Sequence, residues 1–156
     1  MIGELAMRVT SGSDGWGPGQ LVIAAVHLVV FVEFLVALCF VWWTTAPGNQ
    51  FEPVGEHVGW SVILSNDYYA MAASLGMLVT VVALAVRRAF PLLIAAGLAT
   101  VLALVDWYVL EHGRGIGFGL PHTAAFVGLL LVGVAAALSA GHAVLIVARR
   151  RRRDVG

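Results

Sequence analysis

The chain has 156 residues, 60% of them hydrophobic and 12% charged, with a formal net charge of zero and a mean hydropathy of +0.92. Soluble domains carry about half apolar and about a quarter charged residues. This composition therefore excludes an ordinary soluble domain, and one four-helix membrane unit accounts for nearly all of the chain. The single cysteine, Cys39, excludes an intramolecular disulfide and any metal site built on a cysteine pair. Lying inside an apolar run, it reads as a buried, inert thiol.

Residues 1–19 contain Ser-Gly-Ser-Asp-Gly-Trp-Gly-Pro-Gly at 11–19. Glycine and proline at this density break helix, so a flexible tail is expected, with Trp16 at headgroup level. The first apolar run, 20–44, is longer than the apolar region of a signal peptide, about 7–15 residues, and reads as a retained span. Trp42 and Trp43 close it as interface anchors. A polar loop follows, then a second span over 60–86 that stops at Arg87 and Arg88. A third span over 90–111 opens at Pro91, which suits a first helical turn. A fourth, 121–148, opens at Pro121 and His122 and ends at the five arginines of a basic tail, 149–156. Each run reaches the roughly 20 residues needed to cross a bilayer core.

All nine basic residues are arginine. With four crossings, Arg8, Arg87, Arg88, Arg149, Arg150, Arg151, Arg152 and Arg153 share one side, and only Arg114 lies on the other. The excess of basic residues marks the cytoplasmic face. The expected fold is thus all-α: a polytopic four-transmembrane-helix bundle in the cell membrane, with both termini cytoplasmic. The arginine run also suits anionic lipid heads, at about 1 kcal/mol per basic residue. Nothing aromatic or structured accompanies it, which argues against nucleic acid. Rows of small residues at four-residue spacing (Ala72, Gly76, Thr80; Ala95, Ala99, Ala103; Gly133, Ala137, Gly141) let helix backbones approach closely.

The candidate functional residues are polar groups at costly depths. Glu33 lies near the middle of the first span, where a carboxylate needs a proton, a partner or a polar interior. It is a candidate for proton or ion handling, or for inter-helix contact. His27 lies seven residues after Gln20 and His142 seven before Arg149, which sets both at one depth on the first and last helices. Two such imidazoles facing each other are candidate ligands for haem b. Ser139 precedes His142 by three residues, a spacing that suggests a packing hydrogen bond rather than a nucleophile and base.

Towards the other side, Asp106 precedes Trp107 and Tyr108, and Asp67 precedes Tyr68 and Tyr69. With His112 and His122 these carboxylates form a candidate site for a divalent metal. Glu52, Glu56, His57 and Glu111 lie on the same side. The His-Glu-x-x-His pattern of helical metalloproteases is absent. The alternating glycines at 113–119 read as a turning loop rather than a phosphate cradle, with Arg114 paired to an acid there.

No catalytic constellation appears. The reading that follows is a small non-catalytic accessory or assembly subunit, packed against larger membrane partners or against copies of itself. If it belongs to an enzyme, it is the membrane subunit of an oxidoreductase complex. Two alternatives stand beside it: a redox or metal-binding membrane protein, and an oligomeric proton or ion channel or transporter using Glu33.

Overall fold

The computed structural model describes residues 17–44, 56–58, 68–86, 88–112 and 120–155. Among them are four helices: α1 (Pro18–Ala37), α2 (Tyr68–Val86), α3 (Ala89–His112) and α4 (Thr123–Val155). Three short strands accompany them: β1 (Val41–Thr44), β2 (Glu56–Val58) and β3 (Leu120–Pro121). The N-terminal tail up to residue 16, the starts of the first loop and second span, Arg87 and the glycine loop lie outside the described residues.

Three helices are long and apolar enough to cross a membrane: α1, α3 and α4, the last over Thr123–Arg152. These mark the protein as membrane-embedded. In α2 the apolar stretch is Met71–Val86. At about 1.5 Å per residue it covers roughly 24 Å of a hydrocarbon core about 30 Å thick. The expected four spans are thus three of full length and one shorter helix. Valines and leucines stay exposed around the bundle, including Val22, Leu28 and Val29 on α1 and Leu104 and Val105 on α3. Such helices are apolar on all sides, as lipid requires.

Local chemistry explains the helix ends. At the start of α1, Gly17 precedes Pro18, and the Gly17 N–H donates to Gln20 Oε1 at 2.9 Å. The same oxygen accepts from Arg149 Nη1 at 2.9 Å, which fixes the start of α1 beside the far end of α4. The tight connection from α2 to α3 through Arg88 makes those two helices antiparallel neighbours. Thus α1 and α3 run one way, α2 and α4 the other. The arginines at 149–152 continue α4 as helix instead of forming a separate tail, since arginine is a good helix former and no glycine or proline interrupts the run.

The first span departs from expectation. Its helix ends at Ala37, and Val41–Thr44 turn into the central strand of a three-stranded antiparallel sheet of order β2-β1-β3. Trp43 lies opposite both His57 and Pro121, and Thr44 opposite both Glu56 and Leu120. An apolar run does not by itself distinguish helix from strand, and Val-Trp-Trp-Thr is rich in β-branched and aromatic residues that favour strands. Trp42 is consequently no interface anchor. Its ring is buried, packs edge-on against Phe34, and donates Nε1–H to the Ala37 carbonyl at 2.7 Å. Gly128 makes room for it: a Cβ there would lie 2.5 Å from the ring. The Trp42 carbonyl accepts from the His122 N–H at 2.9 Å, tying the sheet to the start of α4. Cys39, in the turn after α1, is exposed rather than buried.

Helix packing uses two of the three small-residue rows. Gly76 of α2 is buried, and a Cβ on it would lie 3.6 Å from the Ala99 Cα of α3 and 3.0 Å from a Val132 methyl of α4. Ala95 and Ala99 are likewise buried. The α4 row is different: a Cβ added at Gly133 or Gly141 would meet nothing within 4 Å, and Ala137 is exposed.

Candidate functional site

The apolar core falls into two clusters. The larger includes Phe34, Met77, Ala99 and Ala136, and reaches Trp42 at the sheet end. The smaller holds Ala83, Leu92, Ala95, Ala143 and Ile146 at the arginine end. Between them, on α2, sits Thr80; on α4, Ser139 and His142; and on α1, His27 at the edge of the larger cluster. All four are at most 1% exposed. They form a buried polar layer across three helices.

Hydrogen bonding fixes part of this layer. The Thr80 hydroxyl has one hydrogen, which it donates to the Met77 carbonyl at 2.7 Å. Its contact with His27 Nε2, at 3.1 Å, therefore has the imidazole as donor. Neutral His27 then carries its lone pair on Nδ1, which is buried without a hydrogen-bond partner. Ser139 Oγ is also buried and unpartnered, so the expected Ser139–His142 packing bond is not formed. His142 lies within electrostatic range of His27. The depth argument has a direct physical counterpart here, because the Gln20–Arg149 contact aligns α1 with α4 and both helices rise equally per residue. Thr80 was the member that sequence reasoning did not connect to His27. The same counting finds it, seven residues before Arg87.

The other candidates are placed differently. Asp106 is buried near the sheet end, with Oδ2 lacking a partner. The neighbouring Trp107 packs edge-on against Phe126 at 5.0 Å, which sets Asp106 level with the first turns of α4. His112 is exposed; its ring stacks on Tyr108 at 4.1 Å, and Nδ1–H donates to the Tyr108 carbonyl at 2.9 Å. His122 is exposed and hydrogen-bonds through Nε2 to the Thr44 hydroxyl. Asp106, His112 and His122 do not gather: among the described residues no three His, Cys, Asp or Glu side chains are grouped to hold a metal ion. Asp67 lies outside the described residues.

Glu33 is exposed on the outer surface of α1, next to the exposed Val32 and one turn from the exposed Val29 and Val36. It belongs to neither the core nor the polar layer. Helix periodicity carried no signal for this, because α1 is apolar on every side.

Comparison with known protein families, curated proteins and solved structures finds no match to this chain.

Proposed function

We propose that this protein is a small, non-catalytic membrane subunit that packs against larger membrane partners, with its termini and arginine run on the cytoplasmic side and all four helices embedded. The observation that carries the subunit reading is Glu33. A charged group within a membrane span is costly, about 2.5–3.5 kcal/mol at a helix centre on insertion scales, and such groups ordinarily face a bundle interior; Glu33 lies one turn before the end of α1. Here the carboxylate faces out from a membrane-length helix. A partner covering that face supplies what the bundle itself does not. The cytoplasmic orientation rests on the positive-inside rule applied to the arginines at 149–153.

The test is blue-native electrophoresis of host membranes solubilised in mild detergent. The expected result is a complex much heavier than the 16.5 kDa chain. Migration only as a monomer, with partners still intact in control complexes, rejects the reading.

A second reading rests on the polar layer. His27 and His142 are both buried inside the bundle, and a lone pair on His27 Nδ1 is unmatched. A haem b or a metal ion held between them is its cofactor form. The absorption spectrum of protein purified from haem-replete cells decides the haem form. A Soret band lost in both His27→Ala and His142→Ala supports it; featureless visible absorption removes it. Glu33, by contrast, does not line any path through the interior of a single bundle.

A further inference from the structure

The arginine end of the bundle brings together basic residues that are far apart in the chain. Helix α4 runs unbroken through its arginines to Val155, so the direction of each follows from the helix below it. Ala143 and Ile146 are buried in one cluster with Ala83 of α2 and Leu92 and Ala95 of α3. Arg150 follows them by seven and four residues, spacings that return to nearly the same face of a helix. It therefore continues the row that faces α2 and α3. Ala89, the first residue of α3, packs against the same cluster, which places Arg88 at its edge. Arg88 and Arg150 are both exposed. Two guanidinium groups, one from the α2–α3 link and one from α4, thus border a single patch.

The described carboxylates lie elsewhere. Glu33, Asp106 and Glu111 are in the sheet-end halves of α1 and α3, and Glu56 is in β2. Asp154 is the one acid beside the five arginines of the run. Arg149 donates to the neutral Gln20 amide, not to a carboxylate. Within a turn of Arg88 and Arg150 the exposed surface is apolar: Val86 on α2, Phe90 on α3 and Val147 on α4. A soluble anion answers only the charge of this patch, and an apolar chain only its lower half. A molecule with an anionic head and apolar chains answers both.

We propose that Arg88 and Arg150 hold the phosphate of an anionic phospholipid whose acyl chains run over Phe90 and Val147. Arginine suits this role, because its planar fork pairs with phosphate oxygens two at a time. A zwitterionic head brings its own cation to the patch and is the poorer occupant. The inference needs neither a protein partner nor a cofactor, so it stands apart from both readings above.

The experiment is native mass spectrometry of the full chain in mild detergent, titrated with phosphatidylglycerol and, separately, with phosphatidylcholine of the same acyl chains. Wild type is expected to bind phosphatidylglycerol about tenfold more tightly, the scale of charge-assisted hydrogen bonding. Arg88→Gln and Arg150→Gln each abolish that preference, and the double variant falls no further, because both residues grip one phosphate. Arg88→Lys and Arg150→Lys keep part of it. Arg151→Gln, turned about 100° away around α4, leaves it unchanged. Every variant retains Arg87 and at least four arginines of the run, so the signal for membrane orientation survives. Three results overturn the proposal. Equal affinity of wild type for the two lipids removes the site. An equal loss in Arg151→Gln makes the run a diffuse charged collar. Displacement of phosphatidylglycerol by excess inorganic phosphate makes the patch a site for soluble anions. The substituted side chains are exposed, so thermal melts matching wild type are expected; a glutamine variant that melts early is replaced in the comparison by its lysine counterpart.

Discussion

Trp42→Ala is expected to destabilise the protein by about 3–5 kcal/mol, the range for removing a large buried aromatic side chain. Three consequences add together. The ring leaves a cavity against Phe34 and Gly128 that the glycine cannot fill. The Ala37 carbonyl, at the last turn of α1, loses the 2.7 Å indole bond and is left with the longer 3.2 Å bond from the Phe40 N–H. The strand that joins β2 to β3 loses a side chain buried in the bundle, which weakens the hold of the sheet on the helices. For a chain of this size, about 2–4 °C of Tm per kcal/mol gives a fall of roughly 10 °C. Thermal unfolding in detergent, followed by loss of monodispersity, checks this. Trp42→Phe, which keeps most of the ring and loses the N–H, costs less. Equal stability of wild type and Trp42→Ala would show that the indole is not packed as described.

The second large effect belongs to the polar layer. Thr80→Val is nearly isosteric, yet it strips the acceptor from His27 Nε2–H in a buried site. Leaving a buried donor unsatisfied costs about 1–3 kcal/mol. Replacing both partners with apolar groups removes that penalty, so His27→Leu combined with Thr80→Val is expected to be more stable than Thr80→Val alone. That ordering is the signature of the hydrogen bond. If the double variant is less stable by the sum of the two single effects, His27 and Thr80 act independently.

Much of the architecture was legible because it follows from invariant geometry. Helices rise equally per residue, so counting from Gln20 and from Arg149 sets His27 and His142 at one depth, and the Gln20–Arg149 hydrogen bond is the physical anchor of that count. The short link at Arg88 makes α2 and α3 antiparallel for the same reason. What the sequence did not disclose depends on rotation and on local competition. Helix α1 is apolar all round, so no periodicity says that Glu33 faces out while His27 faces in. The turn from helix to strand at Val41 hides within a continuous apolar run, where strand propensity and the fit of the Trp42 ring over Gly128 decide the outcome. His112 and His122 share a side of the protein, but each is engaged locally, one with Tyr108 and the other with Thr44. Proximity in topology did not become convergence in space.

The central proposal is that this bundle is incomplete alone, because the Glu33 carboxylate faces outward from a membrane-length helix. Native mass spectrometry of the tagged chain, released from host membranes in mild detergent, tests it most directly. The account predicts a stoichiometric complex in which a different membrane protein accompanies the 16.5 kDa chain. A stable, isolated monomer as the sole species would contradict it.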